Sequence, residues 1–157
     1  QLEFTQDWQM NHQLVSTWIL QHDASLDDAM ASSMLSHYAK ALRWIGGQPT
    51  PASMLEQLQL AAQDDPWFDA PAKSLERGSP TAALISHRYL NDCYHSSLDE
   101  VLGLDLVLAR RFLRGHDFPE GVRALLIDKD KKPSWRRRRF SEVTADEVAL
   151  HFADLAY

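Results

Sequence analysis

The chain has 157 residues, 45% of them hydrophobic, and a formal net charge of −6, which suits one domain with a packed apolar core. Its single cysteine, Cys93, excludes an internal disulfide framework and favours an intracellular, reducing compartment. No apolar run is long enough to cross a bilayer and no stretch is typical of a signal peptide, so no membrane partner is expected. The sequence begins with Gln1 rather than with methionine, which suggests a fragment or a processed chain.

Apolar residues recur at helical spacing through the first half of the chain. The predicted segments are Asp7 to His22, a helix capped at Ser25–Asp28 and ended by Gly46–Gly47, Pro51 to Ala62, and a short helix between Gln63 and Ser79. Prolines and a glycine interrupt the last of these, where Trp67, Phe68 and Leu75 are the expected anchors. We interpret the apolar stripes as core packing rather than as contacts to a cofactor.

The second half contains clearer start signals. Ser97–Glu100 and Thr144–Glu147 are capping boxes, and Pro80 and Pro119 suit the first turn of a helix. The predicted helices are Pro80 to His95, Leu98 to Arg114, Pro119 to Ile127, and a last one after Thr144. No stretch alternates with a period of two, so no sheet is expected. The sequence therefore predicts an all-α fold, an irregular bundle of about six to eight helices.

The segment from Leu98 to Arg114 is unusual because apolar residues cover most of its circumference. Such a helix must be covered on more than one side. Since large apolar patches are rare on monomers, we expect part of the cover to come from another domain or chain, and we predict a homo-oligomer. In the helix that follows, Val122, Leu125 and Leu126 are expected to face inward.

Between these two helices the chain turns at Gly115–Asp117. Gly115 can adopt the positive φ that ends a helix, and Asp117 can accept the unpaired amide hydrogens of the next one. We therefore interpret His116 and Asp117 as a cap and a hydrogen-bonding corner. After the second helix, residues 128–139 form a charged loop that Trp135 is expected to anchor.

Charge is unevenly distributed along the chain. Residues 1–78 carry four basic and ten acidic residues, residues 79–157 carry twelve of each, and residues 110–139 carry eleven basic and four acidic residues. A basic patch on an acidic chain indicates one anionic partner at one place, although a solvated face explains any single charge in it. The four arginines 136–139 lie in a loop of an acidic chain, so no nucleic-acid partner is expected.

Other possible sites have weaker signals. The seven histidines show no spacing typical of a metal site, and we predict neither a bound metal nor a covalently bound cofactor. Cys93 lies near His87 and His95, which suggests a thiol–base pair, but on a helix Cys93 and His95 are two residues apart and their side chains face different directions. We therefore interpret the thiol as an inert core group rather than as part of a thiol–base pair.

Two runs of sequence resemble a known family. RGHDFPEGVRALLIDKDKKPSW and EVTADEVALHF resemble the C-terminal end of the 3-hydroxyisobutyryl-CoA hydrolases, a thioester-cleaving branch of the enoyl-CoA hydratase/isomerase (crotonase) superfamily. The IDKD and PSW elements favour the hydrolase branch over the hydratases. The resemblance is strong from about Ser79 to Phe152 and faint before it. We therefore distinguish residues 1–78, a helical segment, from residues 79–157, which resemble the hydrolase C-terminus, within one compact domain.

The resemblance implies the helical C-terminal portion of an acyl-CoA hydrolase without its catalytic core. The oxyanion-hole amides of the family lie on glycine-rich loops of an N-terminal α/β domain. None of the six glycines here lies between strand-like runs, so no catalytic residue is predicted and the chain alone is expected to be inactive. A coenzyme A (CoA) thioester would be the substrate of the full-length enzyme and the missing core its main partner. Bacterial cytoplasm or the mitochondrial matrix would be its location.

The resemblance also implies a role for Lys129, Lys131 and Lys132, since the lysine-rich C-terminal segment often lies near the CoA nucleotide in crotonase-like enzymes. A flexible ammonium group suits a phosphate whose position varies. Two alternatives stay open. The lysines can belong to a solvated loop, and the whole chain can be a stand-alone helical module that binds a partner protein.

Overall fold

The computed structural model describes residues 7–22 and 32–153. Their α-helices are α1 (Trp8–His22), α2 (Met34–His37), α3 (Ala39–Gly46), α4 (Pro51–Asp64), α5 (Asp69–Arg77), α6 (Pro80–Asp92), α7 (Leu98–Arg114), α8 (Asp117–Val122) and α9 (Ala145–Phe152). Turns of 3₁₀ helix lie at Pro66–Phe68 and Phe140–Glu142, and a π-helical turn at Arg123–Ile127 continues α8. No strand occurs in either described range, and the all-α prediction is confirmed. The same ranges contain no helix long and apolar enough to cross a membrane.

The chain divides into two compact units, residues 1–46 and 47–157. In the first unit, the Asp7 carboxylate begins α1 by accepting hydrogen bonds from two amides of its first turn. The helix cap predicted at Ser25–Asp28 lies outside the described residues. In the part that is described, the predicted second helix is divided at Tyr38 into α2 and α3.

The second unit has a small apolar core. Its buried hydrophobic side chains include Leu58, Phe68, Ala72, Ile85, Leu108 and Ala124. Of the predicted anchors between α4 and α6, Phe68 is buried, whereas Trp67 and Leu75 are half-buried. The predicted boundary at residue 78 falls inside this unit. It stays a prediction, because it rests on resemblance rather than on compactness.

Both predicted capping boxes are confirmed. The Glu100 amide donates to Ser97 Oγ at 3.4 Å, and the Ser97 amide donates to Glu100 Oε2 at 2.7 Å. Thr144 and Glu147 form the same reciprocal pair at 3.2 and 3.3 Å. Helices α7 and α9 therefore begin where the sequence predicts, and α9 packs against α6 and α7.

Helix α7 keeps much of its apolar surface exposed. Leu108 is buried, while Leu98, Leu102, Leu106 and Leu113 are 53–74% exposed. The first three of these exposed leucines are spaced four residues apart and form one stripe. Within the described structure this stripe is exposed to solvent, which agrees with the expectation that another domain or chain buries it. The oligomer itself stays a prediction.

Two local predictions at the turn after α7 are wrong. Gly115 has a φ of −79° rather than a positive φ. A Cβ at this position would lie 3.4 Å from the carbonyl oxygens of Arg111 and Phe112, an ordinary van der Waals distance, so neither φ nor space requires glycine here. Asp117 is the first residue of α8 rather than its cap, and His116 at the cap position makes no capping hydrogen bond.

The helix after this turn differs from the prediction as well. Leu125 and Leu126 are 61% and 67% exposed, although the sequence predicts that they face inward. Ala124 is fully buried in their place, and Val122 is half-buried. The physical reason is the π-helical turn at residues 123–127. It has more residues per turn than an α-helix and rotates the leucines away from the core.

Candidate functional site

One arginine organises residues 128–135, which we call the lysine loop. Arg123 forms a two-pronged pair with Glu120, from Nε to Oε2 at 2.9 Å and from Nη2 to Oε1 at 2.8 Å. Its Nη1 donates to Asp128 Oδ2 at 2.6 Å and to Asp130 Oδ2 at 2.8 Å. We call Arg123 and these three carboxylates the Arg123 cluster. A guanidinium suits this arrangement because its donors form a fixed planar fork.

Hydrogen bonds to the backbone fix the path of the lysine loop around the cluster. The Ser134 amide donates to Glu120 Oε1 at 2.7 Å, and the Lys132 amide donates to Asp130 Oδ1 at 2.8 Å. The Lys132 carbonyl accepts a hydrogen bond from Arg123 Nη2 at 3.2 Å. The cluster therefore binds the backbone of the loop as well as its acidic side chains, and it orders a segment that has no regular secondary structure.

These contacts favour the charged forms of the cluster. Hydrogen bonds from Arg123 and from the Ser134 amide lower the pKa of Glu120 to about 2 from its ordinary value of 4.5. Hydrogen bonds from Arg123 and from the Lys132 amide lower the pKa of Asp130. The hydrogen-bonded carboxylates, that of Glu120 first, raise the pKa of Arg123. Glu120 and Asp130 are therefore ionised at neutral pH, each in contact with a permanent cation.

The predicted site residues Lys129, Lys131 and Lys132 are exposed, and none of their ammonium groups forms an ion pair within the described residues. Lys129 and Lys131 also have positive φ values of 57° and 56°. Left-handed backbone of this kind costs an L-residue about 1 kcal/mol or more. The lysine loop thus presents three ammonium groups that the nearby carboxylates leave unpaired. Their role in binding stays a prediction.

Trp135 anchors the end of the lysine loop, as the sequence predicts. Its indole Nε1 donates to the Arg77 carbonyl at 2.7 Å, which ties the loop to the end of α5. The indole also packs over Gly121 of α8, where a Cβ would meet the ring edge at 3.4 Å. This is an ordinary van der Waals distance, so the ring packs closely on α8 at a position that does not itself require glycine.

Two grooves meet at Trp135 and share Gly121 and Leu125. The apolar groove, of about 560 Å³, is lined mainly by Phe112, Phe118, Val122 and Leu126. The second groove, of about 430 Å³, adds the basic residues Lys73, Arg77 and Lys131, of which Lys73 is paired with Asp69 at 2.6 Å. Apolar walls beside a few convergent charged groups can receive a molecule that has both an apolar stretch and an anionic end.

Asp117 joins three parts of the second unit. Its Oδ1 accepts a hydrogen bond from the Arg136 amide at 2.8 Å and contacts His116 Nδ1 at 3.1 Å, and its Oδ2 accepts a short hydrogen bond from the Ser79 hydroxyl. Burial opposes ionisation of Asp117, but hydrogen bonds from Arg136, Ser79 and His116 lower its pKa. The predicted hydrogen-bonding corner is confirmed. Both carboxylate oxygens are hydrogen-bonded to groups of the chain itself, so we assign Asp117 a role in folding.

The four arginines 136–139, which we call the arginine run, have different surroundings from the lysines. Arg137 forms an ion pair with Glu147 at 3.0 Å, and Arg139 forms one with Glu142 at 2.9 Å. Glu142 lies in the second 3₁₀ turn and Glu147 in the first turn of α9. The arginine run therefore helps to fix the start of the last helix.

Other candidate groups do not assemble into a site. Across the described ranges, no group of three or more His, Cys, Asp or Glu side chains could hold a metal ion. Cys93 is half-buried at the end of α6, where its amide donates to the Tyr89 carbonyl. His87 instead contacts the Gln48 carbonyl at 3.2 Å. These residues serve local structure.

A model of the enoyl-CoA hydratase/isomerase family matches residues 1–152. The chain belongs to this family. The human protein 3-hydroxyisobutyryl-CoA hydrolase, mitochondrial, is 35% identical over 135 residues, which cover 85% of this chain and 34% of the relative. The Xenopus laevis protein of the same name is 42% identical over 83 residues, which cover 53% of this chain and 22% of the relative.

The fold supports the same relationship. The crystal structure of an enoyl-CoA hydratase from Rhodobacter sphaeroides has a TM-score of 0.71 and 27% sequence identity, over 85% of this chain and 43% of that chain. The family predicted from the sequence resemblance is confirmed. The chain spans about a third or less of the length of the two hydrolases and less than half of the hydratase.

The sequence pattern does not single out Arg123, the residue that organises the lysine loop. A signal is present, since Glu120 and Arg123 lie three residues apart on one predicted helix, a spacing that allows an ion pair. Asp128 and Asp130 follow within seven residues. The sequence does not say whether these aspartates pair with Arg123 or with the lysines beside them, and the structure distinguishes the two.

Proposed function

We propose that this chain is the C-terminal, non-catalytic part of an acyl-CoA thioester hydrolase of the 3-hydroxyisobutyryl-CoA hydrolase type. In that role it supports the catalytic core and uses Lys129, Lys131 and Lys132 to hold the phosphates of CoA. Relatives with this name support the proposal, and they match the chain over about a third of their length or less. The observation that carries it is the loop itself, whose ammonium groups have no carboxylate partner in the described structure.

In this proposal the chain binds and orients the substrate rather than reacting with it. Thioester hydrolysis needs donors aimed at the carbonyl oxygen and a group that activates water. We assign both tasks to the remainder of the longer enzyme. An exposed ammonium group gains about 0.5–1 kcal/mol from a nearby phosphate after solvent screening. Three such groups change the affinity for an acyl-CoA several-fold without touching the bond that breaks.

The test is alanine substitution of all three loop lysines in the full-length enzyme, assayed with 3-hydroxyisobutyryl-CoA at two ionic strengths. We expect KM to rise several-fold, mostly at low salt, while kcat stays nearly constant. The matched control neutralises three cations outside the loop, Lys40, Arg43 and Arg138, and should leave KM close to its wild-type value. An unchanged KM at low salt in the lysine variant would return the lysines to a solvated loop.

We also propose that the isolated chain has no thioesterase activity, because none of its residues is assigned to the oxyanion hole or to the activation of water. The measurement is turnover of 3-hydroxyisobutyryl-CoA by the purified 157-residue chain. Turnover that a point substitution within the chain abolishes would show that the active site lies in this part of the enzyme.

The exposed stripe of α7 supports a further part of the proposal, a contact between copies of the enzyme. Leu98, Leu102 and Leu106 present a continuous apolar row that a second copy can bury. Replacing Leu102 and Leu106 by glutamate should lower the molar mass of the full-length assembly in light scattering. Leu90→Glu on α6 is the control for an exposed leucine outside the row. A double variant with the wild-type assembly mass would contradict the contact.

The same exposed stripe supports a second candidate function, a stand-alone helical module that binds a partner protein. The coding sequence upstream of Gln1 separates the two candidates. An upstream α/β core with glycine-rich loops supports the hydrolase, whereas a start codon close by supports the module. For location we propose the mitochondrial matrix or the bacterial cytoplasm, and the names of the relatives, which include the word mitochondrial, support the first of these.

A further inference from the structure

We infer that Arg123 is a positioning residue for phosphate binding, because it holds Asp128 and Asp130 and so keeps their carboxylates from pairing with the neighbouring lysines. The inference rests on the proposed function, since it takes the loop lysines as the groups that meet CoA. Arg123 itself does not contact the phosphate. It acts by leaving the charge of the lysines uncovered.

The order of charges in the loop offers each lysine a competing carboxylate. Asp128, Lys129, Asp130 and Lys131 alternate in sign, so each carboxylate has an ammonium group in the next residue. Opposite charges at this separation attract, and a lysine that is paired with an aspartate has little charge to offer an anion. In the structure, however, both aspartate Oδ2 atoms lie within 2.8 Å of Arg123 Nη1.

The charge balance depends on this one residue. The three loop lysines and the Arg123 cluster together carry a net charge of +1, and the same groups without Arg123 would carry none. Arg123 donates from Nε and Nη2 to Glu120 and from Nη1 to both aspartates. A lysine ammonium group, which is a single point charge, cannot reproduce this arrangement.

The backbone of the loop gives independent support. Lys129 and Lys131 have positive φ values, a conformation that lysine rarely adopts, so the path of the loop is imposed from outside these two residues. The Arg123 cluster contributes to this path, since the Lys132 amide donates to Asp130 and the Lys132 carbonyl accepts from Arg123. A backbone hydrogen bond from the Lys131 amide to the Ala124 carbonyl, at 3.0 Å, acts beside it.

The inference predicts that Arg123 and the two aspartates are coupled in their effect on CoA affinity. Four forms of the full-length enzyme are compared by calorimetric titration with CoA at low salt: wild type, R123M, D128N/D130N and the combined variant. R123M should weaken binding about fivefold, because the freed aspartates then pair with the lysines. D128N/D130N should change wild-type affinity by about twofold or less, but it should restore most of the affinity that R123M loses.

Equal effects of D128N/D130N in the two backgrounds would overturn the inference, because the charges would then act independently. R123K keeps the charge but not the fork and should bind with an affinity between those of wild type and R123M. Circular dichroism checks that each variant folds, and if R123M does not, the cycle is run on R123K. The triple lysine variant is titrated in parallel. If it binds CoA like the wild type, the proposed function fails, whereas weak binding without coupling in the cycle rejects only the role of Arg123.

Discussion

The lysine loop ends at Trp135, the arginine run begins directly after it, and the two carry basic side chains in different surroundings. Two of the four arginines in the run form ion pairs, Arg137 with Glu147 and Arg139 with Glu142. The loop lysines have no ion pair in the part of the chain that the structure describes. Asp128 and Asp130 adjoin the lysines in sequence, but their carboxylates pair with Arg123. A count of charges in a window therefore does not show which of them are available to a ligand.

The difference separates folding from binding. An arginine in a forked ion pair fixes the geometry of its neighbours, whereas an unpaired lysine keeps its charge for a partner. Substitutions in the arginine run should therefore change the free energy of unfolding, and substitutions of the loop lysines should change affinity. Substitutions in the lysine loop, in the arginine run and at Trp135 test this difference separately.

The largest effect is expected at Trp135, which anchors the end of the lysine loop where the arginine run begins. Trp135→Ala removes the hydrogen bond to Arg77 and the packing over Gly121, and it should lower the free energy of unfolding by about 3 kcal/mol. Trp135→Phe keeps much of the ring and should lose about 1 kcal/mol with the hydrogen bond. Urea unfolding measures both losses. An alanine variant as stable as the wild type would show that the loop is not fixed through its tryptophan.

The arginine run should be loosened by Asp117→Ala. Without the carboxylate, the Arg136 amide and the Ser79 hydroxyl lose their acceptor, which should lower the free energy of unfolding by about 2 kcal/mol. Asp117→Asn keeps an oxygen acceptor and should lose less. Thermal unfolding measures the loss, and hydrogen exchange of the Arg136 amide locates it. Wild-type protection of that amide in the alanine variant would contradict the assignment.

The sequence predicts the parts of this fold that depend on neighbours along the chain. The capping boxes at Ser97 and Thr144 are local, and α7 and α9 begin at them. The π-helical turn after α8 is different. It buries Ala124 and exposes Leu125, and it is stabilised by packing and by backbone contacts to the loop beyond it. Apolar spacing carries no information about an inserted residue in a turn, so the predicted inward stripe is wrong there.

The candidate site has the same limit. The lysines can be selected from the sequence because the resemblance implies a lysine-rich segment at that place. Which carboxylate pairs with which cation depends on the path of the chain between Arg123 and Asp130, and no local rule gives that path. Asp117 is a similar case, because its partner Arg136 lies nineteen residues further along the chain.

Acid should loosen the lysine loop, because protonation of its carboxylates breaks the Arg123 cluster. The pKa of Glu120 is lowered to about 2 from 4.5, so its contribution to stability is fully present above pH 4.5 and is lost as the pH falls toward 2. The lowered pKa of Asp130 acts with the same sign. NMR should therefore show the Ser134 and Lys132 amides losing protection over this interval. Glu120→Gln should reduce the pH dependence, and a variant that kept it in full would contradict the role of Glu120.

The smallest effects should separate the two segments most directly. Arg137→Ala removes a partly exposed ion pair with Glu147 and should lower the free energy of unfolding by about 0.5–1 kcal/mol. Alanine at all three loop lysines should change it by less than about 0.5 kcal/mol, because no ion pair is lost. Urea unfolding at two salt concentrations distinguishes them further. The Arg137→Ala loss should shrink as salt screens the pair, whereas the lysine variant should gain slightly at low salt as repulsion among the ammonium groups is removed. If the lysine variant were destabilised as much as Arg137→Ala, the loop lysines would have structural partners of their own, and the division between a folding segment and a binding segment would fail.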